Sequence, residues 1–353
     1  MTWRSRPAAA IAALGGLLAA SALAMSAPAG AAPASGPMRP ARHTPGAAAP
    51  RSWLVSDPAA YTRAIHSGNW VYTPEGLAEK NCVHHVPMGD RVAANGDIVT
   101  RSGAVHRIAR CAHPTLAYPS SGPARPVGGR SAASPAVAQS CEAGNKNWWA
   151  ETCTLNPNGL ALLTEKYTIP NDPQQAGALI FFFPSFEDST GNSIVQPVLT
   201  WGANAGFTGV TNPKIWYITA WYGDDGTYFT GPSAHVNEGG VVSGEIQRGL
   251  CGTPTSECPW NITISVGSAT VSKLWTSGPE MTQVDGGVME VPRGSGCVEM
   301  PQGGHEAFRD LLVNQAVGNG AYTPVFQAYT VNPQCSVHAS ASGTSTDITW
   351  KTS

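Results

Sequence analysis

The chain reads as an all-β protein built on an antiparallel β-sandwich, and three observations point there. Only 12% of its 353 residues are charged, while Gly (39) and Pro (29) are abundant. That is a turn-rich composition, unlike a coiled coil or helical bundle. Short β-branched and aromatic runs recur beyond residue 158 with Gly, Asn and Asp between them, without the strand–helix alternation of a parallel α/β fold. Ile262, Ile264 and Val266 alternate with Thr263 and Ser265, the period of a strand buried on one face. The formal net charge of -2 gives no case for nucleic acid as a partner.

The elements follow in chain order. Arg4 and Arg6 precede an Ala/Leu-rich run over 8–24, and Ala29-Gly30-Ala31 has the small-residue pattern of a cleavage site. Residues 1–31 are therefore expected to be a signal peptide, and the mature chain to be secreted and extracellular with no membrane span. Residues 32–51 are Ala/Pro-rich and expected to be disordered. Residues 52–116 form a small basic module. It opens with a helix over 57–65, capped by Asp57 with Pro58 in the first turn. Strands at 69–72, 82–86, 91–92, 98–100 and 105–108 follow, with Asn95-Gly96-Asp97 and Ser102-Gly103 as turns. Residues 117–139 are a Pro/Gly/Ser/Ala linker. Residues 140–353 are the sandwich domain. Its strands are expected over 159–169, 178–183, 193–201, 216–222, 241–247, 261–266, 269–275, 287–291, 323–331 and 348–351, with one helix over 306–313.

All eight cysteines follow the signal segment. An even number in an exported chain reads as disulfides. Neighbours in sequence are expected to pair: Cys82–Cys111, Cys141–Cys153, Cys251–Cys258 and Cys297–Cys335. No zinc-type spacing is present. His84 and His85, adjacent on a strand, point to opposite faces and make a poor metal pair. No metal or cofactor is expected, and the chain is expected to be a monomer.

Charge is unevenly divided. Residues 32–139 carry eleven Lys/Arg against five Asp/Glu, a net of +6, and six of the nine histidines. Residues 140–353 carry eight against eighteen, a net of -10. Opposite fields favour docking of the module on the domain.

The segment order within 160–292 resembles the glutamic peptidases, or eqolisins, secreted acid peptidases on a lectin-like β-sandwich. The matching segments are Ile194-Val195-Gln196-Pro197-Val198, Thr219-Ala220-Trp221-Tyr222-Gly223, Glu238 to Glu245, Ser268-Ala269-Thr270-Val271 and Asp285-Gly286-Gly287-Val288-Met289-Glu290. The resemblance implies a dyad: a Gln amide that donates to the developing oxyanion and a Glu that acts as general base toward water. Gln196 matches the Gln. The position of the family Glu falls on Gly286, so the base is missing from its expected place.

Two carboxylates stand nearby. Glu290 lies four residues on, about 13 Å along a strand. Asp285 is adjacent, and a β-bulge at Gly286-Gly287 would turn it onto the required face. Gln196, before Pro197, also reads as a strand-edge amide satisfied by backbone. The resemblance further implies a basic prosegment that acid releases, a role the +6 module would fill.

With the base missing from its place, the favoured reading is a ligand-binding protein without efficient catalysis, and the alternative is an acid endopeptidase using Gln196 with Glu290 or Asp285. Alternation places Trp216, Ile218 and Ala220 on one face and Tyr217, Thr219 and Trp221 on the other. Tyr217, Trp221 and Trp201, with the loop carboxylates Glu187 and Asp188, would line an aromatic cleft for a polysaccharide or polypeptide.

Overall fold

A computed structural model describes residues 54–109, 111, 114–118, 125–126, 148–251, 257–317 and 320–353. The expected signal peptide and disordered segment, most of the expected linker, and Cys141 lie outside the described residues. Residues 50–353 make one compact unit.

Two large sheets face each other. In the first, the order is Val83–His85, Thr227–Thr230, Trp216–Asp224, Ser193–Trp201, Leu179–Asp188, Met281–Arg293, Ala150–Leu155, Gln327–Thr330 and Arg125–Pro126. In the second it is His338–Ser342, Ser345–Thr349, His305–Gln315, Leu160–Thr168, Val241–Arg248, Cys258–Val266, Thr270–Gly278, Arg91–Val92, Ile98–Val99 and Val105–His106. Neighbouring strands of the sandwich proper pair antiparallel, as the alternating patterns require. Ile180, Phe182, Leu199, Trp201, Trp216 and Ile218 meet Val242, Ile264, Phe308 and Ile348 between the sheets.

The expected module contributes to three sheets. Val83–His85 extends the first large sheet by pairing parallel with Thr227–Thr230. Arg91–Val92 joins the second beside Trp275. The Cys82–Cys111 bridge closes the loop that carries both strands. The remainder forms a small sheet, Leu54–Val55, Thr115–Leu116, Gly76–Glu79 and Trp70–Thr73. Helix Pro58–Ser67 packs on it through Tyr61 and Ala64 against Leu77 and Leu116. The helix is capped as expected, Asp57 Oδ1 accepting from Ala60 N at 2.8 Å. The opposite face of the small sheet, with Val71 and Ala78, packs on Phe181, Phe183, Val198, Trp221 and Val288 of the first large sheet. That sheet is thus covered on both faces, which explains why the strand opens on an unbroken apolar run from Leu179 to Pro184.

The expected helix over 306–313 is instead part of strand His305–Gln315. Asp310 has φ 55, and the pairing with Leu160–Thr168 shifts register between Thr164 and Lys166. This bulge spaces the buried residues at Glu306, Phe308, Leu311 and Val313, a pattern close to a helical stripe. Strands Ala150–Leu155, Thr227–Thr230, Ala234–Val236 and His338–Ser342 were not anticipated. Cys251–Cys258 and Cys297–Cys335 join as expected. Cys153 is disulfide-bonded.

Candidate active site

The site is a row of residues across the first sheet, on the face that the small sheet covers. Gln196 pairs with Trp221. Phe186 opposite Val195 and Phe182 opposite Leu199 set Ser185 level with Gln196 on the next strand. Ser185 pairs with Asp285, and Asp285 with Cys153. Trp221, Gln196, Ser185, Asp285 and Cys153 therefore stand in line over five strands.

Asp285 reaches this row through a β-bulge. On one side Phe183 pairs with Val288 and Ser185 with Asp285. On the other Thr152 pairs with Gly287 and Cys153 with Asp285. One extra residue is thus accommodated at Gly286-Gly287, which reverses the facing of everything before it. Glycine is required there by space. A Cβ on Gly286 would stand 2.6 Å from Phe326 Cζ, and one on Gly287 2.5 Å from Phe308 Cδ2. A side chain at 286 would enter the apolar space between the sheets, so no carboxylate at that position would face Gln196.

Asp285 is fully buried and held by two donors. Gln283 Nε2 donates to Oδ1 at 2.8 Å, and Ser185 Oγ donates to Oδ2. Gln196 is 1% exposed, and its Nε2 has no hydrogen-bond partner among the described residues. Ser193–Trp201 is a central strand, so Gln196 is not an edge amide. Pro197 offers no N–H, and the Ala220 N–H opposite is satisfied from the second sheet by Ser272 Oγ at 2.9 Å.

The other expected site residues are divided. Trp221 and Tyr217 share the face of Gln196 but are each 1% exposed, and Trp221 meets Phe181 edge-on at 6.0 Å. Trp201 lies on the opposite face, in the inter-sheet core 5.2 Å from the Trp216 ring. Glu290 is buried on the covered face but level with Phe181, four residues along its partner strand from Ser185, about 13 Å away. It sits instead near Tyr61 of the module and Tyr118 just past its expected end, whose hydroxyls are held un-ionised by burial first and by Glu290 in addition. Glu187 is buried opposite Gln283. Asp188 serves its turn, its Oδ1 accepting from Asn192 N at 2.8 Å and Ser193 N at 3.0 Å.

Sequence reasoning missed Ser185, Gln283 and Glu151. Ser185 follows Phe181 and Phe183 at the two-residue period, which would have put it on their face. Glu151, Cys153 and Asp285 bring ligand atoms within 4.8 Å of one another, but the Cys153 sulfur is in a disulfide and offers no thiolate. The trio is a poor cation cage.

No family model matches the chain, and no curated protein matches it. Among solved structures it is similar to scytalido-glutamic peptidase with a peptide-based transition-state analogue, at 12% identity and TM-score 0.39 over 58% of this chain and 98% of that one. SCP-B, a member of the eqolisin family of peptidases in complex with the tripeptide Ala-Ile-His, matches with the same identity, TM-score and coverage. Scytalido-glutamic peptidase with a transition-state analogue inhibitor aligns at 13% identity and TM-score 0.35.

Proposed function

We propose that this chain is the latent form of a secreted acid endopeptidase in which Gln196 and Asp285 form the dyad and the N-terminal module, residues 52–116 with the adjoining 117–118, acts as prosegment. One observation carries the reading: the Gly286-Gly287 bulge that sets Asp285 in the row of Gln196 and Ser185. Two strand spacings, about 10 Å of backbone, separate the pair, and only the small Ser185 stands between.

A scissile carbonyl placed there would receive a hydrogen bond from Gln196 Nε2 on its developing oxyanion. Asp285 would take a proton from the attacking water and return it to the leaving amine as the C–N bond breaks. Gln283 and Ser185 fix the orientation of the carboxylate. Tyr217 and Trp221, on the same face, would wall the cleft once uncovered. A polypeptide is therefore favoured over a polysaccharide as ligand.

The covering module has an acid-sensitive edge. His84 pairs with Phe229 in the first sheet, its ring 5.5 Å from that of Phe229. Its Nε2 is buried with no hydrogen-bond partner among the described residues, and burial holds its pKa below 6.5. Protonation must oppose this pairing. The net charges of the two parts act in the same direction, since acid neutralises the carboxylates that attract the basic module.

The test is casein hydrolysis by the full chain between about pH 2 and 7. Wild type should cleave below about pH 4, while Gln196→Ala and Asp285→Asn should not. Absence of cleavage by wild type throughout that range would refute the peptidase reading. Retained peptide binding would then favour the ligand-binding one.

A further inference from the structure

The hairpin tip 72–76 of the module is seated on the covered face, with Thr73 and Glu75 buried. Tyr72 pairs with Leu77 and Thr73 with Gly76, leaving Pro74-Glu75 as the loop. The Tyr118 hydroxyl lies 2.8 Å from both the Thr73 and the Gly76 carbonyl oxygens, which pre-shapes the tip from inside the module.

The sandwich then grips it as it would a peptide. Asn204 Nδ2 donates to the Tyr72 carbonyl at 2.8 Å. Trp148 Nε1 donates to the Pro74 carbonyl at 3.0 Å. The Arg293 guanidinium stands 5.6 Å from the Tyr72 ring centroid. Main-chain carbonyls are recognised by side chains, which is independent of the residue that presents them.

Glu75 supplies the side-chain contact. It is 1% exposed and engages the Tyr228 hydroxyl, which also lies 2.8 Å from Thr115 Oγ1. Beneath it is Gly223. A Cβ there would stand 2.7 Å from Glu75 Oε2 and 3.2 Å from Ile194 Cγ2 and Tyr228 Cε1. Gly223 is not among the positive-φ residues, so the backbone does not demand glycine; the room for the carboxyl does. Gly223 pairs with Ile194, and Trp221 with Gln196, so this pocket is one step of the strand period, about 7 Å, from the dyad row.

We infer that the 72–76 tip is the built-in occupant of a peptide-recognition site whose pocket, formed by Gly223, Tyr228 and Ile194, selects a glutamate side chain. This rests on the latent-peptidase reading for its role, although the pocket itself does not require catalysis. Release of the module would leave the Asn204, Trp148 and Tyr228 donors facing the cleft, ready for another chain presenting the same groups.

The probe is the hexapeptide Tyr-Thr-Pro-Glu-Gly-Leu against its Glu→Ala counterpart, titrated into the full chain by calorimetry. Hydrogen exchange at 72–76 first identifies the pH at which the tip is released. The Glu peptide should bind at least about tenfold more tightly, the worth of one well-made buried hydrogen bond to a carboxyl group. Gly223→Ala should erase that preference and leave the Ala peptide within about twofold. Equal affinities, binding of neither peptide, or a tip that stays protected at every pH tested would each overturn the pocket. Glu preference without casein hydrolysis would uphold the pocket and refute the peptidase reading. Hydrolysis without Glu preference would do the reverse.

Discussion

His84 and Glu306 are both ionisable groups drawn into this sandwich, one at its edge and one in its centre, and protons act on them with opposite sign. Glu306 faces the inter-sheet core, where burial raises its pKa from 4.5 to about 8 despite hydrogen bonds from the Ala307 and Thr168 backbone. Beside it Glu165 is driven well above the ordinary carboxylate range, by burial first and by Glu306 second. Neither Glu165 oxygen has a hydrogen-bond partner among the described residues. These groups fold as neutral acids. The contribution of Glu306 is complete below about pH 4.5 and is lost as the pH climbs through about 8; that of Glu165 is lost in the same direction. His84 is the reverse. Its folded pKa lies below 6.5, so its contribution is intact above that pH and is lost as the pH falls through the lowered value. Acid therefore tightens the core while it loosens the edge strand that clasps the covering module. On the proposed reading, a single pH drop would uncover the Gln196–Asp285 row without melting the sheets that build it.

The largest effect that sharpens this contrast lies in the core. The urea midpoint of the full chain should fall steadily from pH 5 to 8 by an amount equivalent to several kcal/mol. Glu306→Gln should reduce that slope, leaving only the part carried by Glu165, because an amide cannot ionise. An unchanged slope would place the titration elsewhere. Gly286→Ala comes next. Its Cβ meets Phe326 Cζ at 2.6 Å, and such overpacking should cost about 1–3 kcal/mol with no change in pH slope, read from the same urea titrations. His84→Phe should keep the 72–76 amides protected in hydrogen exchange at pH 4, where wild type exchanges them. If both exchange alike, the edge strand is not the acid-sensitive element. The smallest effect is Asp57→Ala, which removes the cap on helix Pro58–Ser67 and should cost about 1 kcal/mol. It should appear as faster exchange in the module and leave the inter-sheet core unmoved.

Much of this was legible in the sequence, for a local reason. Period-two alternation identifies the strand carrying Ile262, Ile264 and Val266, and the same period separates the Tyr217/Trp221 face from the Trp216 face. Gly286-Gly287 marked the bulge that turns Asp285 onto the face of Gln196. What was hidden depends on contacts far apart in sequence. Glu165 and Glu306 fall on inward positions of their strands, yet carboxylates there read as solvent-facing until the opposing sheet is known. Asp310 at positive φ disguised a strand as a helix. The covering of the cleft by Val71 and Ala78, and the seating of Glu75 over Gly223, have no signature in either segment alone.

The most direct test asks which carboxylate works with Gln196. Casein hydrolysis by the full chain at pH 3 should fall by a factor of about 10²–10⁴ in Asp285→Asn, while Glu290→Gln, about 13 Å along the strand, stays within about twofold of wild type. Loss of activity in Glu290→Gln with retention in Asp285→Asn would contradict the account.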